Sequence, residues 1–175
     1  MNNIIKKLNL GSGNNIKKDY INIDFKQNVG VDKVHDLNNY PWPFEDQSFS
    51  EIIAENVIEH LDSFLLCMEE IYRISEKDAV IKISVPYWNS SFAYIDPTHK
   101  KGFHEHTFSF FDPDSDYCKE RSYYSKARFK VQSYSFVIAP FAPYFVLPFI
   151  KNIEIKNIIL KKVIGIIGNL FSNII

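Results

Sequence analysis

The feature that most constrains this chain is the run Leu8-Asn9-Leu10-Gly11-Ser12-Gly13 near its start. Residues 4–10 form a short apolar run that ends at two glycines one residue apart. Glycine has no Cβ and reaches positive φ, so a strand running into Gly-x-Gly lets backbone turn sharply and come close to a ligand. Alone, that spacing says little. Its meaning comes from the residues downstream of it. Residues 20–25, YINIDF, make a second β-branched and aromatic run with Asp24 near its end. An acidic side chain there can accept hydrogen bonds from both hydroxyls of a ribose.

Further along, residues 31–37 suit a short extended piece, and Pro41-Trp42-Pro43 breaks regular structure. Residues 49–54, FSEIIA, read as a third strand, followed by the polar pair Glu55-Asn56. A helix comes next. Leu61, Phe64, Leu65, Met68, Ile71 and Tyr72 share one face at i, i+3, i+4, i+7, i+10 and i+11. Asp62 or Ser63 can cap its start, and Met68 reads as core filler. Residues 79–85, AVIKISV, read as a buried strand closed by Pro86. Residues 87–113 are a long polar and aromatic stretch, of the sort that is often functional inside a compact domain. Residues 127–138 return to strand-like composition. This order predicts an α/β fold with an open sheet. Ligands in such sheets sit beyond the carboxyl ends of the strands. Gly11, Asp24, Asp36 and Asn56 all fall there.

With 175 residues, 46% hydrophobic and 23% charged, the chain fits one globular domain rather than a disordered one. A net charge of -1 and no long Lys/Arg run argue against nucleic acid as a partner. Cys67 and Cys118 make neither a metal-binding quartet nor a disulfide framework. They are expected as reduced thiols, in the cytoplasm. No signal-peptide apolar region precedes the glycines in MNNIIKKLNLGSG.

The stretch PFEDQSFSEIIAENVIEHL resembles a segment of class I S-adenosylmethionine-dependent methyltransferases: P-F-x-D-x-S-F-D, a hydrophobic run, then L-E-H. LNLGSG resembles their first motif and YINIDF their second, acidic strand. Asp96-Pro97-Thr98-His99 and the aromatic residues after it resemble short members of the methyltransferase type 11 kind. The resemblance covers residues 5–112. It implies a Rossmann-like, mostly parallel sheet with late antiparallel strands, and S-adenosylmethionine as cofactor. It also implies methyl transfer to a small acceptor, expected to be a hydroxyl of a sugar or a surface glycan precursor. Carried over residue by residue, Gly11, Ser12 and Gly13 would flank the methionine part of the cofactor. Asp24 would bind the ribose with Phe25 beside it, and Asp36 and Leu37 would contact adenine. Asn56 would lie beside the methionine end, and His60 matches the histidine of the E-H pair. One departure stands out. Only six residues, 14–19, separate Gly13 from Tyr20, whereas a parallel crossover normally takes a dozen or more, usually with a helix. The first helix is expected to be missing or reduced to a turn, and with it a helix N-terminus near the cofactor's carboxylate.

Two histidines are candidates for the base that a hydroxyl acceptor needs: His99 first and His60 second, since histidine titrates near neutrality. The bland alternatives are a turn-stabilising residue for His99 and a backbone hydrogen bond for His60. His99, His104 and His106 with Glu105 have the spacing H-x4-H-x-H, which is not a zinc pattern, so no metal is expected. Tyr87, Trp88, Phe92, Tyr94, Phe103, Phe108, Phe110 and Phe111 suit either an acceptor pocket or a secondary hydrophobic cluster. An NAD(P)-binding oxidoreductase shares Gly-x-Gly and the acidic strand end, but Ile16 stands where the third glycine of G-x-G-x-x-G belongs. A non-catalytic binding module on the same fold is the other alternative.

The tail differs from the rest. We place the cofactor-binding domain at 1–139 and a hydrophobic extension, expected to be helical, at 140–175. Residues 136–150 carry no charge, yet Pro140, Pro143 and Pro148 forbid one straight spanning helix. Lys151, Lys156, Lys161 and Lys162, with Glu154 opposing, suit a segment lying on a membrane surface. A homodimer contact or a cover for the sheet suits the pattern equally. The expected location is therefore the cytoplasm, with the inner face of the membrane as the variant that the tail raises.

Overall fold

The computed structural model describes residues 7–138 and 153–155. Five strands build one sheet: β1 (Lys7–Leu10), β2 (Ile21–Asp24), β3 (Lys33–Val34), β4 (Phe49–Glu55) and β5 (Ser75–Ser84). Their spatial order is β3-β2-β1-β4-β5 and every pairing is parallel. All the carboxyl ends therefore open on one edge.

Alternation along the strands separates two faces. Leu8, Leu10, Ile23, Ile52 and Ala54 point to one face and are buried in the core. The helix α1 (Phe64–Ile74) contributes Cys67, Met68, Ile71 and Ile74 to the same core. Ser63 caps it, its side chain accepting the Leu66 N–H. The cap falls on Ser63, one of the two residues expected there, but the periodicity predicts that Leu65 and Tyr72 face inward. Instead a 3₁₀ turn, Ile58–His60, precedes α1, and Leu65 and Tyr72 are exposed. The stripe is rotated towards the small Cys67 and the last-turn Ile74. Two side chains of α1 also hold the proline-rich loop. Glu70 accepts the Trp42 N–H at 2.7 Å, and Arg73 donates to the carbonyls of Trp42 and Phe44 at 3.0 and 2.8 Å.

The other face of β1 and β2 carries the register partners Asn9 and Asn22, both buried. They occupy the side where a crossover helix would normally pack. The Asn9 amide donates to Asn22 Oδ1 and to the Asn15 carbonyl, each at 2.9 Å. Asn22 accepts the Lys17 N–H at 2.9 Å and donates to the carbonyls of Lys17 and Tyr20, both at 3.1 Å. The connection 11–20 thus runs as turns with no helix, as its length predicts. Where a helix would have satisfied its backbone internally, asparagine side chains take the Asn15 carbonyl, the Lys17 N–H and carbonyl and the Tyr20 carbonyl.

After β5 the chain forms two short helices, α2 (Phe92–Ile95) and α3 (Asp116–Glu120), and a 3₁₀ turn, Phe108–Phe111. The strand expected over 127–138 is realised only as β6 (Phe136–Ile138). Upstream of it, side chains take the backbone donors: Lys126 N–H goes to Glu69, Ala127 N–H to Ser125 and Val131 N–H to Asp112. With those donors engaged, no ladder forms there. β6 pairs antiparallel with β7 (Ile153–Ile155), so the late antiparallel strands form their own two-stranded sheet. At 153–155 the extension is therefore a strand and not the helix expected there; the rest of it, with the readings attached to it, lies outside the described residues. Among the described residues no helix is long and apolar enough to cross a membrane. Cys67 and Cys118 are free and buried.

Candidate functional site

The glycine loop leaves β1 with Gly11 at φ +58 and Gly13 at φ +49. L-residues rarely adopt this region, so both positions favour glycine. Their surroundings differ. A Cβ on Gly11 would lie 2.3 Å from Val57 Cγ2, whereas a Cβ on Gly13 would meet nothing within 4 Å. The loop is therefore pressed against the exit of β4 at its start and open at its end. Asp24 closes it from β2. Its carboxylate accepts the Gly13 N–H at 2.8 Å and the Lys26 N–H at 3.0 Å. Between the glycines, the Ser12 N–H donates to the Ile23 carbonyl at 3.0 Å. The Ser12 hydroxyl is buried and has no hydrogen-bond partner among the described residues. Across the loop, Glu55 at the tip of β4 accepts from Asn15 Nδ2 at 2.7 Å and pairs with Lys17 at 3.0 Å.

The remaining expected cofactor residues line the same edge. Phe25 follows Asp24 with 74% of its surface exposed. Asp36 is exposed and accepts the Asn38 N–H. Leu37 is a core residue, and its carbonyl accepts the Trp42 indole N–H at 2.9 Å. Asn56 is exposed at φ +51, its N–H donated to the Ser84 carbonyl.

Past Val57, the 3₁₀ turn Ile58–His60 presents the second set of groups. His60 and His99, far apart in the chain, meet edge to face with ring centroids 4.6 Å apart. Behind them lies Glu59, fully buried. Among the described residues neither of its carboxylate oxygens has a hydrogen-bond partner beyond a contact with its own backbone N–H. Burial pushes the Glu59 carboxyl above its ordinary range. One ligand atom from each of Glu59, His60 and His99 lies within 4.8 Å of the others. The Lys100 N–H donates to the Glu59 carbonyl at 2.8 Å, tying the turn that carries His99 to the turn that carries His60. The His99 turn is set by Asp96-Pro97: Asp96 accepts the Thr98 N–H and hydroxyl at 2.8 and 2.6 Å.

Both candidate bases are thus brought together. The other histidines are elsewhere: His104 contacts Glu105 at 3.2 Å, and Glu105 accepts the Tyr87 hydroxyl at 2.8 Å. Sequence reasoning missed Glu59. The available signal was an acidic residue between Ile58 and Leu61, both buried, inside the E-H pair. The aromatic segment divides. Phe103, Phe108 and Phe111 pack edge to face on Phe64 at 5.3–5.6 Å, a core extension. Phe92 and Tyr94 are exposed.

No family model matches the chain, and no curated protein matches it. Among solved structures it is similar to a SAM dependent methyltransferase from Archaeoglobus fulgidus, at 22% identity with a TM-score of 0.50. The likeness covers 61% of this chain and 60% of that one, so the chain spans less than two thirds of that structure's length. At this identity the likeness concerns the fold, which is Rossmann-like α/β.

Proposed function

We propose that the protein transfers a methyl group from S-adenosylmethionine to a hydroxyl of a small acceptor, a sugar or a surface glycan precursor. The observation that carries this reading is the Asp24–Gly13 clasp: an acidic strand end bonded to a glycine loop with open space beside it. The residues present fit the cofactor. Each Asp24 oxygen accepts one backbone N–H and keeps a lone pair for a ribose hydroxyl. The buried Ser12 hydroxyl has no partner among the described residues and can bond a ligand. Phe25 offers an exposed ring, and Asp36 a carboxylate for the adenine amino group.

When bound, S-adenosylmethionine supplies a methyl group already activated by its sulfonium. The protein's task is then alignment, which is catalysis by proximity and orientation. Gly11 and Val57 in contact fix the glycine loop against the turn that carries His60. We place His99 on the proton of the acceptor hydroxyl, with His60 second. Calorimetric titration with S-adenosylmethionine, S-adenosylhomocysteine and NAD tests the reading: the two sulfur ligands are expected to bind and NAD is not. A protein that ignores both sulfur ligands is not this enzyme. A non-catalytic module is favoured by one observation, the lack of a helix after Gly13 to hold the cofactor's carboxylate. Binding without turnover would select it.

A further inference from the structure

Glu59 poses a problem that the methyl-transfer reading does not solve. A fully buried carboxylate without a partner is costly, and such groups are normally paired or coordinate metals. The lysines after His99 do not supply the charge: Lys100 pairs with Asp62, and the Lys101 ammonium lies over the Phe64 and Phe103 rings. What does face Glu59 is imidazole. His99 Nε2 lies 3.9 Å from Glu59 Oε1, too far for a hydrogen bond.

The hydrogen bonds of the two rings define their neutral tautomers. The Thr98 hydroxyl spends its one hydrogen on Asp96, so it accepts from His60 Nδ1 at 2.8 Å. His99 Nδ1 lies 3.3 Å from the Ala93 carbonyl, which can only accept. Both Nδ1 atoms therefore carry the proton, and both Nε2 atoms keep a lone pair. A carboxylate or carbonyl on the far nitrogen is how metal-binding histidines are oriented. Here His99 has a carbonyl, and His60 has a hydroxyl backed by a carboxylate.

We propose that Glu59, His60 and His99 bind a divalent first-row transition-metal ion of the zinc kind, with coordination positions left open for an exogenous oxygen ligand. Two imidazoles and one carboxylate suit such an ion. Magnesium, which favours oxygen ligands and keeps its waters, does not fit. The site does not depend on the methyl-transfer reading, because metal uptake is measured on the protein alone. Where both hold, His99 is a ligand and not the base: the ion would acidify the bound acceptor hydroxyl, its proton would pass to solvent, and the bond from oxygen to the methyl group would form as the bond from sulfur breaks.

The full chain, stripped with a chelator, is titrated with Co²⁺ and followed by its visible d–d absorption. One ion per chain is expected, displaced by Zn²⁺ and not by Mg²⁺. Glu59→Gln and His99→Ala are expected to weaken binding about 100-fold, and Thr98→Val, which removes the hydroxyl that orients His60 and also bonds Asp96 in the His99 turn, about 10-fold. His104→Ala and His106→Ala leave it unchanged. Circular dichroism verifies that each variant is folded. If Glu59→Gln does not fold, uptake by the wild type and its fall in Thr98→Val decide. A folded wild type that takes up neither Co²⁺ nor Zn²⁺ overturns the proposal. So does uptake unaltered in folded Glu59→Gln, or in Thr98→Val where it stands in. Cofactor titration of the same samples reports separately on methyl transfer.

Discussion

Asp24 and Glu59 are both buried carboxylates beyond the carboxyl ends of neighbouring parts of one sheet, at 8% and 0% exposure. Their surroundings are opposite. Asp24 accepts two backbone N–H groups from the loops on either side of it. Among the described residues Glu59 accepts none but a contact with its own. A buried charge can thus be satisfied by the chain itself, in which case it belongs to the fold and shapes a site in passing. Or it can be left for something that arrives later, in which case the empty protein carries the cost. The first arrangement makes the glycine loop a preformed cradle. The second makes the histidine turn a place whose stability and ligand are linked.

The largest effect should come from removing each carboxylate in turn, because the signs differ. Asp24→Ala deletes the two charge-assisted bonds that hold the loops at Gly13 and Lys26. It should cost about 3–5 kcal/mol of stability and abolish cofactor binding. Glu59→Leu replaces a buried carboxyl that has no partner among the described residues with an apolar group of similar size. It should stabilise the metal-free protein by about 1–3 kcal/mol. Urea denaturation of both variants after chelator treatment measures this. Losses of like sign and size would mean that Glu59 is as well satisfied as Asp24.

A somewhat smaller effect separates the two ends of the loop. Gly11→Ala forces a Cβ into Val57 at a positive φ, and should cost about 2–3 kcal/mol. Because Val57 leads directly into Ile58–His60, this change should weaken both S-adenosylhomocysteine and Co²⁺ binding. Gly13→Ala bears only the backbone penalty, about 1 kcal/mol, and its methyl enters the open space beside Asp24. It should weaken the sulfur ligand and leave Co²⁺ affinity alone. If both variants disturb both ligands equally, the two regions are one site rather than two neighbours joined by Val57.

The two regions also differ in how far they could be read from the chain. The cradle is written locally. Leu8–Gly13 and Tyr20–Asp24 each show their strand and their turn, and the six-residue step between them announces the missing helix. What replaces that helix was less visible, because Asn9 and Asn22 look like ordinary polar alternation until their register places them side by side. The histidine turn depends on residues about forty positions apart, joined through the Lys100–Glu59 backbone bond. His60 and His99 were each nameable as chemistry, but no local pattern says that they meet. Glu59 was hidden further, since its importance lies in lacking partners, which is a property of packing. The stretch 127–135 misled for a related reason: strand-like composition counts for little where side chains such as Asp112 and Glu69 have claimed the backbone donors.

A third carboxylate supplies the scale for the other two. Glu51 on β4 is paired with Lys7 of β1 at 2.9 Å and Lys82 of β5 at 2.5 Å. These lysines, Lys82 foremost, hold its carboxyl at about 2, below its ordinary 4.5. A carboxyl depressed on folding stabilises the protein above its unfolded value, and the contribution drains away as pH falls from 4.5 towards 2. Both lysines are largely solvated, at 42% and 59% exposure, so screening leaves the pairs weak. Glu51→Gln should therefore lower Tm by about 2 °C at neutral pH. The difference should shrink in high salt and vanish near pH 2, as followed by thermal melts across that range. This is the smallest of the three effects because the partners of Glu51 are lysines that water solvates well once the pairs are broken. A salt-insensitive loss as large as that of Asp24→Ala would break the ranking. It would show that charge pairing at the starting edge of the sheet, rather than satisfaction of the buried carboxylates at its carboxyl edge, governs how this fold holds its site.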